Sequence, residues 1–379
     1  MAGACAFAPM PAEDRIDACR LFLKRPNLST EARALGQLGL AEGLRQTGET
    51  AAALDAVDES IRLAPGFAPS YLSRGAVQMA LGRTKEAIGD ASLAIDLNRR
   101  NPAGYLLRAE AYLRQGEPAF ALGDMDEAVE IAPDVARIRL VRAYANMALN
   151  RTGPALSDAR VALKLDPELV PAYLIRARLY MATGAFNRAA ADAGRATNLA
   201  PEDRQAQDAA AIAFTEVARF DLAQAAADKL VQMAPEDPDA LNARCWVLAL
   251  KPDPAAALPD CDAAIAADPE HFQARDSRAF AYWQLGRLDE ARDDLDAAAT
   301  LDPDFWDWSR REEHFVTILV RRYLKALGHY VGPIDGAFDD LSATADAIRA
   351  YQIDAGMEPT GAASPALLAK LAENHHAHN

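Results

Sequence analysis

The chain has 379 residues and a formal net charge of -15, with 51% hydrophobic but only 7% aromatic residues. So acidic a chain would be repelled by a phosphate backbone, which excludes nucleic acid as a partner. No run approaches the roughly 18 apolar residues needed to span a bilayer. Abundant Ala and Leu favour close-packed helices over sheets.

Residues 1–33 are predicted to form an N-terminal capping segment, which contains Cys5 and Cys19. Its start, MAGACAFAPM, has neither the basic residues nor the continuous apolar stretch of a signal peptide. Two alternatives follow: a cytoplasmic protein, or an exported chain whose signal has been removed. Lipidation of Cys5, after the small residues AGA, is a further alternative and would leave Cys19 alone.

The next segment repeats every 34 residues without insertion or deletion, from Pro65 to Pro303, with Arg99 in the second place of the series. If Pro65 is repeat position 32, position 20 is Ala in all eight units. Position 8 is always Ala, Gly or Cys. Small residues at both positions allow two antiparallel helices to approach closely.

Residues 34–305 therefore resemble the tetratricopeptide repeat (TPR) family, as in YLSRGAVQMALGRTKEAIGDASLAIDLN. The resemblance implies an all-α fold, with about eight helix–turn–helix repeats stacked into a right-handed superhelix. Stacking buries apolar faces that a single unit cannot bury alone.

Six repeats carry Arg at position 7 and Asp at position 23, and the other two lack both. The first repeat has Leu40 and Ala56 there, and the sixth has Ala210 and Ala226. Because the two charges occur together, we predict an Arg–Asp ladder between facing helices, in which loss of one partner would strand the other charge. The alternative is a charged binding strip.

The TPR resemblance also implies that positions 2, 5, 9, 12 and 13 line a concave groove. These positions are Leu- and Met-rich in the early repeats and more polar, with aromatics, in the later ones. An apolar surface of this kind suits an extended or helical peptide, and the alternative is that the side chains pack against one another. The candidate partner-groove residues are Leu72, Met79, Leu106, Leu113, Leu140, Tyr144, Met147, Leu174, Arg178, Met181, Trp246 and Trp283.

The seventh repeat carries Cys245 and Cys261 on its two facing helices, together with Pro252 and Pro259. Pro259 is expected to weaken the second helix by removing a hydrogen-bond donor, and a disulfide would offset that weakness. With Cys5 and Cys19, two local pairs favour disulfides and an oxidising compartment. The alternative is four reduced, buried cysteines. No cofactor or metal site is predicted.

Residues 306–312 are predicted to cap and link, with Phe305, Trp306 and Trp308 covering the end of the array. Beyond them, LKALGHYVGPIDGAF, AIRAYQ, GMEPTG and PALLAKL resemble a peptidoglycan-binding-like domain, a small three-helix module at 313–372. Its candidate ligand contacts are Tyr330, Asp335, Tyr351 and Gln352, with core or turn roles as the alternative. Asp339 stands where the family has Gly, and DDLSATAD is longer than usual. The tail 373–379 is predicted to be disordered.

No nucleophile elbow, phosphate loop or zinc-binding helix motif is present, so an enzyme is not expected. The N-terminal stretch ACRLFLKRPNLSTEARA, followed by the repeats, is similar to exported TPR proteins of Gram-negative bacteria. That similarity implies a noncatalytic periplasmic scaffold with a protein or peptide in its groove and peptidoglycan on its last domain. The alternative is an assembly adaptor or regulator of a cell-wall enzyme whose last domain does not bind the wall.

Overall fold

The structure is a computed structural model that describes residues 8–302, 308–330 and 341–362, with Cys5, Gly332, Leu367, Lys370, Leu371 and Asn374. These residues form nineteen α-helices and one short 3-10 helix and contain no strand, which confirms the predicted all-α class. They divide into two compact units, Met1–Ala172 and Tyr173–Asn379. Each unit is described separately below.

The first unit contains an N-terminal helix followed by four helix pairs, one pair for each of repeats one to four. The helices are α1 (Ala12–Leu23), α2 (Thr30–Gln46), α3 (Thr50–Leu63), α4 (Ala68–Ala80), α5 (Thr84–Leu97), α6 (Pro102–Arg114), α7 (Pro118–Ile131), α8 (Ala136–Ala148) and α9 (Thr152–Leu165).

The second unit contains the remaining four helix pairs and two further helices. The helices are α10 (Val170–Ala182, whose first three residues belong to the first unit), α11 (Phe186–Leu199), α12 (Arg204–Glu216), α13 (Phe220–Met233), α14 (Pro238–Ala249), α15 (Leu258–Ala267), α16 (Phe272–Gln284), α17 (Leu288–Leu301), α18 (Trp308–Ala326) and α19 (Leu341–Asp354). The 3-10 helix, Pro254–Ala257, precedes α15.

Small residues pack the two helices of each repeat together, as the repeat pattern predicts. All eight position-20 alanines are fully buried. A Cβ added to Gly75, at position 8, would lie only 2.7 Å from a methyl carbon of Leu107 and 3.4 Å from the Ala87 carbonyl oxygen. A Cβ at residue 75 would therefore require the Leu107 side chain of the next repeat to shift, and the fully buried position-20 alanines leave no solvent-facing space for a larger side chain.

A left-handed residue joins the two helices in seven of the eight repeats, at repeat position 15. Five repeats use Gly there, but the fourth uses Asn150 (φ 57°) and the sixth uses Ala218 (φ 57°). Gly reaches this conformation at little cost, whereas a Cβ disfavours it. Ala218 therefore carries backbone strain that a glycine would relieve.

The seventh repeat is the exception, because Pro252 occupies position 15 and proline is restricted to negative φ. A 3-10 turn replaces the first turn of the second helix, and α15 has 10 residues where α13 has 14. Pro259 lies in the first turn of α15, directly after the 3-10 turn. The second helix is thus shortened at its start rather than interrupted, and the expected weakening through the lost hydrogen-bond donor stays a prediction.

The N-terminal segment packs α1 against α2. Cys5, Cys19 and Phe22 form a buried cluster, and the Arg15 guanidinium donates to the carbonyl oxygen of Ala8 at 2.9 Å. Ser29 caps α2 through a bond from the Ala32 N–H, so the first helix of the array begins before residue 34.

Candidate functional site

The Arg–Asp ladder is present in all six predicted repeats. Arg108 shows its form: Nε donates to Asp124 Oδ2 at 2.8 Å and Nη2 donates to Oδ1 at 2.7 Å. The carboxylate in each rung holds the pKa of its arginine above the ordinary value. The rungs are Arg74–Asp90, Arg108–Asp124, Arg142–Asp158, Arg176–Asp192, Arg244–Asp260 and Arg278–Asp294.

Most of these arginines also bond to the preceding repeat, which the sequence analysis missed. Arg142 Nη1 donates to Asp126 Oδ1 at 3.0 Å, and Arg278 Nη1 donates to Asp262 Oδ1 at 2.6 Å. In both cases the acceptor lies 16 residues before the arginine. Because each arginine joins two consecutive repeats and its main carboxylate is buried, the ladder is part of the scaffold and not a free charged strip.

The inner face of the first unit, meaning the side of its first helices that carries the predicted groove positions, is apolar but only partly accessible. Met79 and Leu140 are buried among their neighbours. Leu72, Leu106, Leu113, Tyr144 and Met147 are half-buried. The accessible part of this face is therefore the half-buried set.

The inner face of the second unit contains a cavity of about 590 Å³ on repeats six to eight. Its walls include the position-5 residues Asp208, Asn242 and Asp276, and the position-9 residues Ile212 and Trp246. Burial raises the pKa of Asp208. Of the predicted groove residues in this unit, Arg178 is exposed, and Leu174, Met181, Trp246 and Trp283 are half-buried.

Helix α18 lies on this same inner face, next to the cavity, which Ile318 helps to line. The Phe315 ring lies 5.1 Å from that of Phe280 and 5.7 Å from that of Trp283. Phe280 and Phe315 are both 0% exposed. Trp283 packs on Phe315, and Trp246 belongs to the same cluster while it also lines the cavity. Contact of these two residues with a partner stays a prediction.

Arg322 and Lys325 lie one turn apart on α18, and each reaches the C-terminal end of the first helix of a repeat. Arg322 donates to the carbonyl of Leu250, the C-cap of α14, and Lys325 donates to the carbonyl of Glu216 at the end of α12. The negative end of a helix dipole favours a cation. Burial lowers the pKa of Arg322, and these carbonyl contacts offset part of the cost of burying the charge.

The other face of α18 belongs to the C-terminal module. Val320 and Leu324 pack with Ile348 of α19 and with Leu367 and Leu371. Gly328, with φ 81°, ends α18 and Gly356, with φ 70°, ends α19, as predicted. Because α18 begins at Trp308, the predicted linker 306–312 and the first module helix share one helix.

Three of the four candidate ligand contacts are inside this module: Tyr330, Tyr351 and Gln352 are 5%, 3% and 3% exposed. The Tyr351 hydroxyl donates to the carbonyl of Lys370 and accepts from Asn374 Nδ2 at 2.7 Å. Gln352 Oε1 accepts from the Gly361 N–H at 2.9 Å, and its Nε2 donates to Thr360 Oγ1 at 3.0 Å.

These contacts give the three residues core and turn roles, and their contact with a ligand stays a prediction. Asp335, Asp339 and the aromatics Phe305 and Trp306 lie outside the described residues. Asn374 is bonded into the module, so the predicted disordered tail cannot begin at residue 373.

Both cysteine pairs lie close enough for disulfides. The Cα atoms of Cys5 and Cys19 are 5.3 Å apart, and so are those of Cys245 and Cys261. The second pair joins α14 to the shortened α15 inside the aromatic cluster below α18.

Comparison with known proteins decides the family of the helical array. The tetratricopeptide repeat model matches residues 73–136, 106–170, 209–272 and 252–305, just over half of the chain. The chain belongs to the tetratricopeptide repeat family. A separate model, of a peptidoglycan binding domain, matches residues 317–371. No curated protein matches this TPR chain.

Several solved structures resemble the chain in fold at low sequence identity. The Cut9–Hcn1 hetero-tetramer of the APC/C aligns with a TM-score of 0.57 and 14% identity, over 74% of this chain and 52% of that one. The pilF protein of Pseudomonas aeruginosa aligns with a TM-score of 0.50 and 14% identity, over 56% of this chain and 97% of its own. A TPR protein of Thermus thermophilus reaches 22% identity with a TM-score of 0.43, over 48% of this chain and 99% of that one. These similarities concern the fold alone.

Among the helices that the structure describes, none is both long and apolar enough to cross a membrane.

The second face of α18 is the main feature that the sequence analysis missed. One signal was available: FVTILVRRYLKAL carries apolar residues on more than one side of a helix, as a helix buried between two bodies does.

Proposed function

We propose that the chain is a noncatalytic periplasmic adaptor that binds a partner protein on its repeats and associates with peptidoglycan through its C-terminal module. The observation that carries this proposal is the match of residues 317–371 to a peptidoglycan binding domain directly after a TPR array. TPR arrays are protein-interaction scaffolds, and a wall-binding module would hold the bound partner near the wall. Export is supported by the two cysteine pairs at disulfide distance.

The partner surface that we propose is the inner face of the first unit. Leu72, Leu106, Leu113 and Met147 are half-buried there, so each presents part of an apolar side chain. Such a face suits an extended or helical apolar peptide, because leucine and methionine side chains repack around irregular shapes. Met79 and Leu140 support the face from beneath.

This surface can be tested by placing a photo-crosslinking amino acid at position 113 or 147 in cells that export the protein. We expect both positions to capture the same protein. The matched control is position 120 on α7, where Phe120 is 61% exposed on a second helix. Equal capture from position 120 would place the partner surface elsewhere.

Sedimentation of the full chain with insoluble peptidoglycan tests the module. We expect the wild-type chain to sediment and Ile348→Asp, which puts a charge into the module core, to stay in the supernatant. Removing the whole C-terminal region would be a poor control, because it would uncover Phe280 and Trp283. If both chains sediment equally, the module is not the wall-binding element.

A second candidate function is an assembly adaptor or regulator of a cell-wall enzyme whose module does not bind peptidoglycan. The burial of Tyr330, Tyr351 and Gln352 favours it, because none of these side chains offers much surface to a ligand. In that case the module is a docking unit, and wild-type chain would not sediment with peptidoglycan.

A further inference from the structure

Helix α18 has two buried faces, one packed against the repeats and the other packed in the core of the C-terminal module. Phe315, Ile318 and Leu319 pack into the aromatic cluster of repeats seven and eight. Val320 and Leu324 pack into the module core. One helix therefore completes the small module and covers the inner face of the array at the same time.

The contacts with the repeats follow the repeat order. Lys325 reaches repeat six at Glu216, Arg322 reaches repeat seven at Leu250, and Phe315 packs against Trp283 of repeat eight. In α18 these residues lie on one side, because the spacings of three and seven residues each bring side chains back to the same face. The inner face thus holds an amphipathic helix in the way that a peptide groove does.

We propose that α18 is an intramolecular ligand of repeats six to eight, a latch that holds the module on the array and closes this part of the inner face. A partner helix with an aromatic residue, apolar residues three and four places later, and basic residues seven and ten places later would compete for the same surface. Binding of that partner displaces α18 and releases the module. The inference does not depend on peptidoglycan or on the proposed partner of the first unit.

The neighbouring cavity supplies the place where such a competitor would begin to bind. Ile212, on the cavity wall, is 58% exposed, and Ile318 of α18 lines the same cavity. A helix entering beside Ile318 would meet exposed apolar surface before it displaced any contact. The cavity walls carry Asp208, Asp239 and Asp276 but only one arginine, Arg204, and this excess of acidic residues favours a basic helix over an acidic one.

The latch can be opened in the full chain by two independent pairs of substitutions. Ile318→Asp with Leu319→Asp places charges against the aromatic cluster. Arg322→Ala with Lys325→Ala removes both carbonyl contacts and leaves Phe315, Ile318 and Leu319 unchanged, although it also removes the aliphatic stems and the bond from Lys325 to the Gly332 carbonyl. The matched control is Arg349→Ala on α19, which is exposed and pairs with Asp346.

The probe is a fluorescent synthetic peptide of residues 311–327, titrated against each chain by fluorescence anisotropy. We expect both latch variants to bind the peptide at least ten times more tightly than wild type or Arg349→Ala. The same peptide with Ile318→Asp and Leu319→Asp should not bind. If latch variants with wild-type helicity bind no better than wild type, the proposal is overturned. Should the aspartate pair lose helicity, the alanine pair decides.

A crosslink within the unmodified latch gives a direct second measurement. A benzoylphenylalanine at position 212 should crosslink to α18 in an otherwise wild-type chain, and the yield should fall in either latch variant. Absence of an α18 crosslink in the wild-type background contradicts the latch. Neither measurement uses peptidoglycan or the first-unit partner, so failure here is distinct from failure of the proposed function.

Discussion

At the residue scale, Ala218 shows how a repeat tolerates a residue that does not suit its place. It adopts the left-handed conformation that glycine adopts in five other repeats. We expect Ala218→Gly to raise the free energy of unfolding by about 1 kcal/mol, because the Cβ penalty of that conformation is roughly 1–2 kcal/mol and a small apolar contact is lost. Urea denaturation measures this free energy. The control Gly82→Ala, at the same repeat position, should lower stability. If the two substitutions change stability in the same direction, Ala218 carries no such strain.

The ladder supplies a second residue-scale prediction. Asp124→Ala should destabilise the array by roughly 2–3 kcal/mol, somewhat less than a fully buried pair because Arg108 is partly exposed. Adding Arg108→Leu should recover part of that loss, since it removes the stranded charge and copies the Leu40 and Ala56 of the first repeat. Urea melts of both variants check this. If the double variant is the less stable of the two, the ladder is not a coupled pair.

At the scale of elements, the seventh repeat combines a shortened helix with a cysteine pair. Cys245→Ala with Cys261→Ala should lower the free energy of unfolding by roughly 2–4 kcal/mol, because it removes a disulfide that ties α14 to α15 across 16 residues. Hydrogen exchange of residues 258–267 should quicken most. The control, Cys5→Ala with Cys19→Ala, should quicken exchange in α1 instead, and unchanged exchange in α15 would leave that helix stabilised by packing alone.

At the scale of the whole molecule, the two cysteine pairs test the compartment. Each compact unit has one pair at disulfide distance. We therefore expect no titratable thiol in protein isolated from the periplasm and denatured without reductant. Four free thiols would contradict both disulfides and remove the main support for export. Protein made in a reducing cytoplasm and protected from air is the control and should give four.

The sequence by itself determined the features that recur every 34 residues: the helix pairs, the small residues that let them approach, and the partners of the Arg–Asp ladder. These features depend on contacts within a repeat or between adjacent repeats, so a local period reveals them. The sequence also placed the module and its two glycine caps. It could not show which candidate residues are accessible. Tyr351 and Gln352 are buried, and they form hydrogen bonds with the backbone of Lys370 and Gly361.

Only the tertiary structure decided the role of α18. Its apolar residues fit the module pattern, and nothing periodic marks Phe315 or Arg322 as contacts of repeats seven and eight. Arg322 meets a carbonyl 72 residues earlier in the chain, and Lys325 meets one 109 residues earlier. A contact between distant segments depends on how surfaces fit together, and amphipathic spacing alone reports that a helix has a buried face without saying what covers it.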